Sequence, residues 1–180
     1  ISKMDPDANI IVSPSDHIIF KDDVFTDIIK QAIKAAAEDD KLVTVGVQPN
    51  RPETGYGYIQ YLPNSEDSQV LKVKTFTEKP NAKLAATFLE SGDFVWNSGM
   101  FVWKVGSLLD AFKKYMPDLT DVFEEGKSQL GTPAESDFIA RAYTTLKSIS
   151  IDYGIMEKSD QVYVVLGDFG WSDIGSWQSL

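Results

Sequence analysis

The sequence predicts an α/β domain, a Rossmann-like mixed and mainly parallel sheet flanked by helices on both faces. Short apolar runs of strand type alternate with segments whose apolar residues recur at helical spacing. The first such unit reads strand, helix, strand at the lengths of a βαβ crossover, which predicts a parallel pair. The 180 residues, 43% hydrophobic and 24% charged, suffice for one packed core.

Residues 9–13 are a continuous apolar run bounded by polar residues and Pro14, and predict a short buried strand. Asp22 and Asp23 open a helix, where their charge suits the N-terminal dipole. Phe25, Ile28, Ile29, Ala32, Ile33 and Ala36 give that helix one buried face. Residues 42–47 form a second buried-type strand. Residues 57–62 and 69–77 predict two strands of a hairpin or meander, joined by the polar linker 63–67. Asn81 caps a helix through Leu84, Ala85, Phe88 and Leu89, closed by Gly92. Residues 94–103 predict a strand interrupted at Asn97-Ser98-Gly99. Helical patterns follow around Leu108, Leu109, Phe112 and Met116, stopped by Pro117, then around Leu119, Val122 and Phe123, then around Phe138, Ile139, Ala142 and Tyr143. Residues 162–166 make a last strand.

Charge and residue usage exclude several function classes. Lys and Arg total 17 against 27 Asp and Glu, a net charge of −10, which argues against nucleic acid or an anionic membrane as partner. The absence of cysteine removes disulfides, thiolate nucleophiles and iron–sulfur clusters, and fits a reducing, cytoplasmic compartment. A single histidine, His17, gives no basis for a His-based triad or a multi-His metal site. No apolar run has the length of a membrane span. Ile1 and the stretch ending at Leu180 read as cut ends, so residues 1–180 are expected to be a single partial domain.

Several short segments can carry chemistry, each with a plainer alternative. Asp16 follows the first strand, where open α/β sheets collect ligands; an Asp there also simply caps a turn. Asp173, in Trp171-Ser172-Asp173-Ile174-Gly175-Ser176-Trp177, is a second such residue, with two tryptophans able to wall a site; it can equally cap a helix. Two carboxylates from distant segments suit Mg²⁺, which takes one or two protein carboxylates plus substrate phosphates. Thr54-Gly55-Tyr56-Gly57-Tyr58 is a glycine-bearing turn. Either Gly57 lets a ligand approach its backbone, or Gly55 supplies a positive-φ turn. In Phe76-Thr77-Glu78-Lys79-Pro80, Glu78 can accept bonds from hydroxyls and Lys79 can hold a phosphate, or the two are an exposed ion pair of little energy. Asn97 suits hydroxyl recognition, or marks a bulge. His17 orients Asp16, or is a structural histidine bonded to backbone.

These motifs, with Ser150-Ile151-Asp152-Tyr153-Gly154-Ile155-Met156-Glu157-Lys158, occur together in an order that resembles the sugar-1-phosphate nucleotidyltransferases. Within that family the resemblance is to members that make GDP-mannose and pyrophosphate from GTP and mannose 1-phosphate. It implies the nucleotide-diphospho-sugar transferase fold, and a cytoplasmic, homo-oligomeric parent. It implies Mg²⁺ held by Asp16 and Asp173, sugar contacts from Tyr56, Gly57, Glu78 and Asn97, the sugar phosphate on Lys79, and a weaker substrate-facing role for Lys158. Asp152 lies in a family motif beside the active site. The glycine-rich loop with which the family begins is not found here, so the chain is expected to be the sugar-phosphate half of the catalytic domain, inactive alone. Relatives using UTP, ATP or dTTP, and a non-catalytic regulatory subunit that binds nucleotide sugars, remain alternative readings.

Overall fold

The computed structural model describes residues 1–38, 40–63 and 69–174. Its strands are β1 (Asn9–Val12), β2 (Ile18–Ile19), β3 (Leu42–Val47), β4 (Tyr58–Tyr61), β5 (Val70–Thr77), β6 (Phe94–Lys104), β7 (Val162–Gly167) and β8 (Trp171–Ser172). Its helices are α1 (Asp22–Glu38), α2 (Ala82–Ser91), α3 (Val105–Tyr115), α4 (Pro117–Glu125) and α5 (Glu135–Thr145), with one π-helical turn, Asp152–Met156. The helix ends follow their sequence signals. Asn81 accepts a bond from the Leu84 N–H at 3.0 Å, and Gly92 closes α2 at φ 77°.

Six strands form one sheet in the order β1-β6-β3-β7-β5-β4, and β4 also pairs with β6, so the pairings return on themselves as a ring. The sheet is mixed, but it is not mainly parallel. Among the described strands only β3 and β7 run parallel; the other pairings are antiparallel. The βαβ reading is corrected in one respect. β1 and β3 do point the same way, yet they are not neighbours, because β6 runs antiparallel between them. Eleven residues long and almost wholly buried, β6 can serve β1, β3 and β4 at once. β1 is also not the buried strand expected from its apolar run. It lies at a sheet edge, with Ile11 46% exposed.

Strand alternation divides the core between the two faces, with helices on each, as the sequence predicts. Val43, Val45, Met100, Val102 and Val165 pack against Ile28, Ala32 and Ala36 of α1. Leu42, Phe101, Trp103, Val162 and Val164 pack against Ala111 of α3 and Ile155 and Met156 of the π-turn.

The break expected at Asn97-Ser98-Gly99 is a bulge within a continuous β6. Thr44 pairs with Phe101 but Gly46 pairs with Asn97, so β6 carries extra residues there. Gly99 adopts φ 73°, and Ser98 Oγ donates to the Val45 carbonyl at 2.8 Å.

Candidate active site

The two distant aspartates are brought to one end of a ladder of four residues. Ile18 pairs with Ser172 and Ile19 with Trp171, antiparallel. Asp16 precedes this ladder and Asp173 follows it, so both stand at the same end of the β2–β8 pair. Asp16 is 82% exposed. His17 is largely buried, and its Nδ1 accepts a bond from Trp171 Nε1 at 3.1 Å, a side-chain partner rather than the expected backbone one. Its Nε2 lies 3.9 Å from Asp16 Oδ1. Tyr56 donates its hydroxyl to Asp173 Oδ1 at 2.5 Å. Edge-on contacts run from His17 to Trp171, Trp171 to Tyr56 and Tyr56 to Trp96, at centroid separations of 5.3, 5.2 and 5.1 Å. Trp171 thus walls the site; Trp177, with Gly175 and Ser176, lies outside the described residues, as does most of the linker 63–67.

Tyr56 also ties this end to the segment after β5. Its carbonyl accepts the Lys79 N–H at 3.2 Å. The next residue, Gly57, is buried, and a Cβ there would stand 2.5 Å from Glu78 Oε2. Glycine is needed at 57 because a carboxylate occupies the space of a side chain. Gly55, by contrast, is not among the positive-φ glycines. Its turn is held by the Glu53 carboxylate, which accepts the Gly55 N–H at 3.0 Å.

Glu78 and Lys79 divide in character. The Lys79 side chain is 62% exposed and that of Glu78 only 11%, with 3.8 Å between Nζ and Oε1. Glu78 Oε2 is buried and has no hydrogen-bond partner among the described residues. Burial, then the negative charge of Asp152, pushes the Glu78 carboxyl from 4.5 up to about 7; Lys79 opposes the rise and Glu157 adds to it. The exposed ion pair that a Glu-Lys neighbour ordinarily makes is therefore only half present.

Asn97 is nearly buried, and its amide is fixed on both sides. Oδ1 accepts from Thr44 Oγ1 at 2.8 Å and from the Gly99 N–H at 3.2 Å, while Nδ2 donates to Asp152 Oδ1 at 3.1 Å. Its backbone N–H donates to the Gly57 carbonyl at 2.8 Å. Burial pushes the Asp152 carboxyl up, against the pull of its hydrogen bonds and of Lys79. Lys158 is exposed just beyond the π-turn and next to Glu157.

Two non-glycine residues among those described adopt positive φ, Lys79 at 47° and Ile174 at 51°. One is a candidate site residue and the other directly follows Asp173. Such backbone costs about 1–3 kcal/mol and persists only where surroundings enforce it, most often at functional sites.

Sequence reasoning missed Arg51 and the structural parts of Thr44 and Glu157. The Arg51 guanidinium lies 5.2 Å from the Trp96 ring centroid and 6.0 Å from that of Tyr56, and pairs with Glu53 at 3.2 Å. Its place just before the glycine-bearing turn was the available signal. Among the described residues there is no cluster of three or more His, Cys, Asp or Glu side chains able to hold a metal, and no helix is long and apolar enough to cross a membrane.

The model of the family described as nucleotidyl transferase matches residues 1–180. The chain belongs to the nucleotidyl transferase family. Among curated relatives, this nucleotidyl transferase chain is 42% identical over 180 residues to a mannose-1-phosphate guanylyltransferase of Sinorhizobium fredii, covering 97% of this chain and 34% of that protein. It is 39% identical to one of Escherichia coli K12, covering 97% and 37%. It therefore spans about a third of the length of these relatives. Among solved structures, one described as a mannose-1-phosphate geranyltransferase of Thermus thermophilus superposes with a TM-score of 0.85 at 32% identity, covering 99% of this chain and 50% of that one.

Proposed function

We propose that this chain forms the sugar-phosphate side of an enzyme that joins mannose 1-phosphate to GTP, releasing pyrophosphate and GDP-mannose. The observation that carries this reading is the bridge at Tyr56-Gly57. Tyr56 bonds Asp173 through its hydroxyl and Lys79 through its carbonyl, while Gly57 makes room for Glu78. Asp173 is thus linked through one tyrosine and the glycine after it to a lysine, a buried acid and a fixed amide.

The donor set fits a hard divalent cation. Asp16 and Asp173 supply two carboxylates at one end of the β2–β8 pair, and Mg²⁺ in phosphoryl-transfer sites takes one or two such ligands with the remainder from phosphates and water. When bound, it neutralises phosphate charge and orients the reacting phosphates.

The other steps fall to the protein's own groups. Lys79, exposed on a fixed turn, binds the sugar phosphate as a point charge. Glu78 Oε2 accepts a sugar hydroxyl, which supplies the partner it lacks. The Asn97 amide, with Oδ1 already engaged twice, has an Nδ2 hydrogen left to donate to a second sugar oxygen. In the reaction a phosphate oxygen attacks the α-phosphorus as the bond to the pyrophosphate oxygen breaks. With a second pKa near ~6 the sugar phosphate is already largely ionised at pH 7, so no general base is required. Catalysis reduces to positioning and to relief of repulsion between polyanions.

In the complete enzyme, Asp173→Asn is expected to lower turnover by at least about a hundredfold, with the melting temperature retained. Unchanged turnover would end the metal assignment. Competition among GTP, UTP, ATP and dTTP on the complete enzyme tests the base, and preference for another triphosphate would replace GTP in this reading.

A further inference from the structure

We infer that Glu157 is a positioning residue for the sugar-phosphate lysine: its carboxylate holds the strained turn from which Lys79 projects. This rests on the reading of Lys79 as the phosphate ligand.

The turn is disfavoured twice over. Lys79 stands at φ 47°, where its own Cβ crowds the backbone. It also precedes Pro80, whose ring biases the residue before it toward extended backbone. Neither preference leads to the observed conformation, so contacts must impose it. Two backbone hydrogen bonds do. Lys79 N–H donates to the Tyr56 carbonyl at 3.2 Å, and Glu78 N–H donates to Glu157 Oε1 at 2.9 Å. The second is the charge-assisted one, and such bonds are about twice as strong as neutral ones.

Glu157 is itself well placed to act as an anchor. It follows the π-helical turn Asp152–Met156, whose Gly154, Ile155 and Met156 are buried. Its backbone N–H bonds back to the Asp152 carbonyl at 2.9 Å. The opposite end of the same turn carries Asp152, which grips Asn97. π-turns recur at functional sites, where the widened ring re-aims side chains. Here the turn aims one carboxylate at the end of β5 and another at the bulge of β6. One short element thus contacts both the segment carrying Lys79 and the Asn97 amide, and on this inference it helps to fix their spacing. Sequence reasoning placed Lys158 in this neighbourhood; the structure gives the anchoring contact to Glu157.

The test is kinetic, in the complete enzyme. Glu157→Ala is expected to raise the KM for mannose 1-phosphate at least about tenfold, while the KM for the nucleoside triphosphate stays within about twofold. Glu157→Gln retains an acceptor oxygen and is expected within about threefold of wild type. Glu157→Asp, one methylene too short, is expected to behave like Ala although its charge is kept. Lys79→Ala runs alongside. If it weakens mannose 1-phosphate and Glu157→Ala and Glu157→Asp do not, the positioning inference is overturned and the lysine assignment stands. If Lys79→Ala leaves that KM unchanged, the lysine assignment falls and the inference with it. Equal losses for both substrates, accompanied by a lowered melting temperature, would mean a merely structural residue and also overturn it. Should Glu157→Ala fail to fold, the Asp and Gln variants decide: a normal KM in Glu157→Asp overturns the inference.

Discussion

Glu78→Gln is expected to stabilise the protein above neutral pH while weakening its hold on the sugar phosphate. In the wild type the carboxyl is 11% exposed, its Oε2 lacks a partner among the described residues, and Asp152 and Glu157 add negative charge around it. Its pKa is raised from 4.5 to about 7 in the folded state. Between those two values the folded protein binds more protons than the unfolded chain, so stability falls as pH rises. The contribution is fully present below about 4.5, declines across that window and is gone above about 7. At ~1.4 kcal/mol for each unit of pH, the loss amounts to roughly 3 kcal/mol. Glutamine has nearly the same shape and never ionises, so the variant does not incur it. Urea unfolding of the complete protein near pH 5 and near pH 8 reads the effect. The stability of the variant relative to wild type should improve by up to about 3 kcal/mol between the two conditions. A difference that is independent of pH, or that turns against the variant at the higher pH, would refute the claim that folding holds this carboxylate at an electrostatic cost.

Gly57→Ala places a methyl group 2.5 Å from Glu78 Oε2 and must displace that carboxylate; the KM for mannose 1-phosphate is expected to rise by about tenfold or more, and an unchanged value would show that Glu78 is not held against Gly57 in the working enzyme. Thr44→Val removes a buried hydroxyl whose oxygen lies 2.8 Å from Asn97 Oδ1 and 2.9 Å from the Met100 carbonyl, its one proton shared between these two acceptors. A loss of about 1–3 kcal/mol in urea unfolding is expected, and full wild-type stability would mean that the bulge does not depend on that hydroxyl.

Local signals in the sequence were good guides wherever one segment decides its own conformation. The α2 caps at Asn81 and Gly92 and the stop of α3 at Pro117 depend on residues within a few positions of each other. Strand order does not, and this is where the reading departed from the structure. β6 reads as one buried strand, but nothing within 94–104 states that it separates β1 from β3. The placement of Asp16 and Asp173 at one end of the β2–β8 pair was hidden for the same reason. It depends on a ladder two residues long on each side, below the length at which apolar alternation is visible. Gly57 was singled out for its N–H. Its actual neighbour, Glu78, is brought there by the pairing of Tyr58 with Thr77, which only the register of β4 on β5 reveals.

The arrangement of charge bears on an apparent conflict between a chain carrying −10 and the polyanionic substrates proposed for it. Lys79 has three carboxylates for neighbours or near neighbours, Glu78, Asp152 and Glu157, which on its own would make a poor phosphate site. Two of them are already committed, Asp152 to the Asn97 amide and Glu157 to the Glu78 N–H. The third is Glu78, whose carboxyl burial pushes up to about 7, so near neutral pH it takes up a proton far more readily than an ordinary glutamate. With the sugar phosphate bound at Lys79 as proposed, its negative charge pushes that equilibrium further toward the protonated acid. A protonated Glu78 donates as well as accepts, and the local repulsion would fall with that proton. The burial that lowers stability above neutral pH is thus the same feature that lets an acid stand beside the lysine proposed to bind phosphate.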